Sequence, residues 1–86
     1  MTLPECLKNA LGLSSDVVEI ERSGAYRWNA WVYYSNGFRE FKVGLWWDYM
    51  KHVETCDKCR RKLKIRKREV QKELRKLEKE WKEVVG

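Results

Sequence analysis

The residues of this chain best suited to chemistry are His52, Cys56 and Cys59, spaced His-x3-Cys-x2-Cys, together with Cys6 far upstream. They are the single His and all three Cys of 86 residues. On a helix, positions i, i+4 and i+7 stack along one face. An imidazole and two thiolates there supply three corners of a tetrahedral zinc site, and Cys6 is the evident fourth ligand. A bond from Cys6 would tie the N-terminus to the second half of the chain. The competing reading is a disulfide, Cys56–Cys59 or Cys6 with either, which thermophile cytosols tolerate. An odd number of cysteines suits a secreted disulfide framework poorly.

Other chemistry finds little support. A zinc held by three Cys and one His is closed, without the open position catalysis needs. There is no partner set for nucleophilic catalysis and no Gly-rich phosphate loop, so no enzyme is expected. A Cys-x-x-Cys redox role is conceivable, because Lys58 and Arg60 would favour the Cys56 thiolate. The strand that leads into such a motif within a βαβ unit is missing.

The segment His52–Leu63 resembles the zinc-binding segment of the zinc-containing anti-sigma factors and related zinc-finger domains. There, too, a basic residue and then Leu follow the second Cys, as Arg60 and Leu63 do here. The resemblance covers about a dozen residues. It implies that His52, Cys56 and Cys59 are zinc ligands, with an upstream Cys as the fourth. In that family the upstream Cys lies closer in sequence than Cys6 does to His52, and here a strand-rich insert intervenes.

Charge is the second signal. The net charge of +6 is unevenly spread. Residues 1–57 hold six basic and eight acidic residues, whereas 58–86 hold thirteen basic and five acidic. Within 58–68, eight of eleven residues are basic and none is acidic. A merely solvated helix usually intersperses Glu, as residues 69–83 do. Lys58, Arg60, Arg61, Lys62, Lys64, Arg66, Lys67 and Arg68 are therefore candidate contacts to nucleic-acid phosphates. An acidic protein is the other partner such a surface would suit.

The elements that must position these residues read as α+β. Residues 3–12 suit a short helix, with Thr2 as cap, Pro4 in the first turn and Gly12 at the end. Val17–Arg22, Tyr26–Tyr34 and Phe38–Val43 read as strands of an antiparallel meander. Asn36-Gly37 is a strong hairpin signal. As a two-residue loop it pairs Val32 with Phe41 and Ala30 with Val43. Trp28, Ala30, Val32, Phe41 and Val43 then form the core face, and Trp31, Tyr33, Phe38, Glu40 and Lys42 the other. That second face either offers an aromatic platform to unpaired bases or is covered by the first helix or a second subunit.

From Leu45 to Val85 there is neither Gly nor Pro. Asp48 could cap a single helix of about 60 Å, or the helix could break near 55–57. Leu74 and Trp81 at a, with Leu63, Val70, Leu77 and Val84 at d, make a heptad seam. Val70, Leu74, Leu77, Trp81 and Val84 are thus expected at a homodimer interface; packing on the protein's own sheet is the alternative. The chain divides into a small α+β domain, 1–57, and a basic helical arm, 58–86.

The abundance of Lys, Arg and Glu with almost no Gln fits a heat-loving organism. No signal peptide and no apolar run of membrane-spanning length is visible, so a soluble cytoplasmic protein is expected. Together these features suggest a zinc-stabilised nucleic-acid-binding or transcription-regulatory protein that dimerises through its last helix. A protein-interaction module, or a structural accessory protein without activity, are the alternatives.

Overall fold

The computed structural model describes residues 3–24 and 28–85, the side chains of Val84 and Val85 excepted. Thr2, the first residues of the Tyr26–Tyr34 strand, the Val84 side chain and Gly86 lie outside them.

The fold is α+β, with the expected order of a short helix, a three-stranded antiparallel meander and a helical C-terminal half. Helix α1 spans Glu5–Ala10. Pro4, which has no N–H to lose, stands at its N-cap with φ −61. Gly12 follows the helix at φ 66, where a Cβ would be strained. Leu3 and Leu7, one turn apart, are buried and pin α1 down.

The sheet order is β1 (Val17–Arg22), β2 (Ala30–Tyr34), β3 (Arg39–Lys42). The hairpin is where predicted, but its loop is one residue longer. A two-residue type I′ turn needs φ > 0 at both central residues. Only Gly37 takes it, at φ 90; Asn36 does not. The loop is instead Ser35-Asn36-Gly37. Tyr34 donates its N–H to the Phe38 carbonyl at 2.8 Å, and Gly37 donates to the Tyr34 carbonyl at 3.0 Å. Asn36 Oδ1 accepts the Phe38 N–H at 3.0 Å and steadies the turn.

The pairing is therefore Ala30 with Lys42, Trp31 with Phe41 and Val32 with Glu40. A one-residue slip moves every β3 side chain to the opposite face. Phe41 and Val43, expected in the core, are 41% and 76% exposed. Phe41 instead meets Trp31 edge-on at 5.2 Å, and the Arg39 guanidinium lies 4.6 Å over the same indole. Phe38, Glu40 and Lys42 do not share that face; Phe38 lies across from Tyr34, their rings 5.5 Å apart.

Leu45–Val85 is not one rod but three helices: α2 (Leu45–Thr55), α3 (Asp57–Leu63) and α4 (Lys67–Val85). Asp48 lies inside the first turn of α2 and does not cap it. The N-cap is Gly44 at φ 77, and the Trp28 carbonyl accepts the N–H groups of Trp46 and Trp47 at 2.9 and 3.4 Å. Asn29, itself buried, accepts the Gly44 N–H at 2.8 Å. This cap comes from another part of the chain, so no local sequence signal announces it.

The first break is at Cys56, which is at once the C-cap of α2 and the N-cap of α3, in extended conformation. The second, unforeseen, is at Lys64, the one non-glycine with positive φ among the described residues. Glu69 Oε2 accepts the Arg66 N–H at 3.4 Å, so one half of a capping box restarts α4 without Gly or Pro.

Helix α2 is the hub against which α1, α3 and α4 pack. A single apolar cluster runs from Leu3 to Leu77. Helix α4 thus belongs to the core and is no projecting arm beyond residue 57. The longest dimension is 38 Å, far short of the expected rod. Val70, Leu74 and Leu77 are 1%, 5% and 1% exposed within this one chain. They are already covered, which corrects their assignment to a seam between two chains. Trp81, on the same stripe, packs edge-on to Trp28 at 5.6 Å. No helix among the described residues is long and apolar enough to cross a membrane.

Candidate metal centre

Three short pieces of helix converge at one corner. On a straight helix, His52 and Cys59 would lie on one face but about 10 Å apart along the axis, too far for one ion. The break at Cys56 removes that distance. Folding α3 back on α2 brings Cys59 Sγ to 3.3 Å from His52 Nε2. Helix α1, packed on α2, delivers Cys6 Sγ to 3.6 Å from the same nitrogen and 3.9 Å from Cys56 Sγ.

The four ligand atoms all lie within 4.8 Å of one another. Bonds of about 2.3 Å to sulfur and about 2.0 Å to nitrogen in a tetrahedron require S···S edges of about 3.8 Å and S···N edges of about 3.5 Å. The observed separations are close to those edges. Cys6, His52, Cys56 and Cys59 are therefore positioned to bind a metal ion. All three cysteines are free thiols, so the disulfide alternative is not realised here.

The thiols differ in environment. Cys59 is buried, and burial followed by the neighbouring sulfurs pushes its pKa up to about 12. Cys56 is shifted down, chiefly because the backbone N–H of Cys59 at the start of α3 favours its thiolate. A cation at the centre would offset the crowding of sulfurs and displace the Cys59 proton.

Arg60 has a different role from the one expected of it. Its Nη1 donates to the carbonyls of Val53 and Glu54 at 2.7 and 2.6 Å, and its guanidinium pairs with Asp57. The break at Cys56 leaves the last carbonyls of α2 without helical partners, and Arg60 satisfies two of them. It is a strut between α2 and α3, unavailable to a phosphate. The signal in the sequence was its distance of one to two turns from those carbonyls, which carries meaning only once the break is known.

The other members of the basic run, Lys58, Arg61, Lys62, Lys64, Arg66, Lys67 and Arg68, are exposed on α3, the turn and the start of α4. Arg61, Lys64 and Arg66 line a shallow depression of about 500 Å³ at the corner between the two helices. Compared with protein-family models, curated proteins and solved structures, the chain finds no match.

Proposed function

We propose that this protein is a small zinc-stabilised module that binds nucleic acid through the basic corner formed by α3 and the start of α4. The observation that carries the reading is one of position. The cysteines that would hold the ion also anchor α3, whose exposed side carries Lys58, Arg61 and Lys62. Zinc suits a tetrahedral set of three thiolates and one imidazole, and such a closed set is structural. The ion's chemistry is cross-linking. Cys6, His52, Cys56 and Cys59 would hold it, while Arg60 keeps the α2–α3 elbow bent. The seven exposed cations would contact phosphates, and affinity would fall steeply with salt. Transcription regulation is a setting compatible with this activity.

The test has two parts. Protein purified without chelator is analysed for metal, with about one zinc per chain expected. The same protein is titrated with random duplex DNA at two salt concentrations. Absence of salt-sensitive binding at low ionic strength would sink the nucleic-acid reading and leave the metal intact.

A second reading, a protein-interaction module resembling the anti-sigma zinc domains, is favoured by the sheet. Its outer face carries Phe41 edge-on against Trp31, with Val43 exposed just past the end of β3. Contiguous apolar surface of this kind marks contact with another protein or a second copy of the chain. Native mass of wild type and Phe41→Glu tests it: a dimer that becomes a monomer would support this reading.

A further inference from the structure

The exposed side of α4 carries a row of cations that starts at the last member of the basic run, Arg68, and continues beyond it. Arg68, Lys72, Arg75 and Lys79 are all exposed. At 3.6 residues per turn they fall within an arc of about 60°, on the side of the helix opposite Val70, Leu74 and Leu77. The acids of the same stretch are elsewhere. Glu69 and Glu78 flank the row, and Glu73 turns inward to Arg22 and the Trp46 indole, each at 3.2 Å. None of the four cations makes an ion pair among the described residues. Arg75 reaches no further than the carbonyl of Gln71, at 3.4 Å.

A helix selected only for solubility gains from alternating charges at i,i+4, which pair with one another. From Arg68 to Lys79 the i,i+3 and i,i+4 neighbours along the outermost line are all of one sign, and Glu83 ends the row. That arrangement repels itself, and it is relieved by a polyanion lying along it. We infer that this row is the second half of the nucleic-acid interface: a straight rail, about 16 Å long, that follows the phosphates of a duplex. One end of the rail adjoins Arg66 and Lys67, so corner and rail form one continuous surface. A duplex fits better than a single strand because no aromatic side chain lies on this arc. Trp81, the aromatic of α4, is turned toward Trp28. Proteins that take up unpaired strands stack their bases on aromatic rings.

The inference rests on the nucleic-acid reading above, and the experiment separates the two. Full-length protein, as purified, is titrated by fluorescence anisotropy with a random duplex of about 20 base pairs and with one of its strands, from 50 to 200 mM salt. Two variants are compared with wild type: the rail variant K72Q/R75Q/K79Q, which leaves Arg68 in place, and the corner variant R61Q/K64Q/R66Q. Gln is a good helix former, and an unchanged thermal melt confirms that each variant is folded. The expected result is that the rail variant binds duplex at least about tenfold more weakly at low salt, with a log–log salt slope shallower by about 2 to 3. A rail variant that matches wild type while the corner variant weakens would overturn the rail and leave the corner reading standing. Tighter binding of the single strand than of the duplex would overturn the duplex assignment. Wild type without salt-sensitive binding to duplex would overturn both.

Discussion

Helices α3 and α4 both carry dense positive charge, yet they are held in place by different forces. Helix α4 has 19 residues and buries Val70, Leu74 and Leu77 against α2. Helix α3 has seven residues and buries one side chain, Cys59. Seven residues are too few for a helix to persist in water on its own propensity. Helix α4 is therefore a product of apolar burial, whereas α3 depends on the elbow at Cys56, on Arg60 and on whatever joins the four ligands. A charged surface can be mounted on either kind of support, but only the second would depend on an ion held by Cys6, His52, Cys56 and Cys59.

The largest test of that contrast is removal of metal. Binding free energy for structural zinc is on the order of 10 kcal/mol and is coupled to folding. Chelation, or Cys59→Ser, is expected to strip amide-exchange protection from α1 and α3 while α4 stays the better protected. Equal protection of α3 and α4 after chelation would erase the distinction. Because the Cys59 thiol sits at about 12 in the metal-free protein, it is protonated at neutral pH. Uptake of the ion must then release at least its proton, and affinity must fall as pH is lowered. Calorimetry in buffers of different ionisation enthalpy measures the release.

Next comes the burial that holds α4. Leu77→Ala is expected to cost about 2–5 kcal/mol in urea unfolding, with or without metal. Leu74→Lys should unfold the chain; a folded variant of lower native mass would restore the dimer seam. Arg60→Ala leaves the Val53 and Glu54 carbonyls without their charged donor, and a loss of about 1–3 kcal/mol is expected. That loss should come with weaker metal retention, seen in chelator competition, because the elbow relaxes. The smallest effect is at the second break. Lys64 holds φ 56, a conformation costly for a side chain with Cβ. Lys64→Gly should stabilise by no more than about 1 kcal/mol, since freedom gained in the unfolded chain offsets part of the relief.

Much of this was open to reading from residue types. Val17–Arg22 stood out by β-branching, and Asn36-Gly37 marked the hairpin. What failed did so where a choice depended on contacts between distant segments. Asn36-Gly37 serves a two- or a three-residue loop, and the difference sends Phe41 and Val43 outward. Val70, Leu74 and Leu77 show the same periodicity whether a helix packs on its own chain or on another. Asp48 looked like a cap because the true acceptor, the Trp28 carbonyl, lies in another part of the chain.

The chain's residue types alone determined which atoms are able to bind a metal, that three strands with a hairpin at Asn36-Gly37 precede the helices, and that its positive charge gathers after residue 57. Those properties are local: ligand chemistry, backbone preference and charge are carried by each residue wherever it goes. Tertiary structure alone decided that the helix bends at Cys56 and again at Lys64, that α4 turns its apolar stripe inward, and that Arg60 faces carbonyls instead of solvent. These follow from burial against α2 and from the need of buried backbone groups for partners, and neither is defined until the chain has folded onto itself.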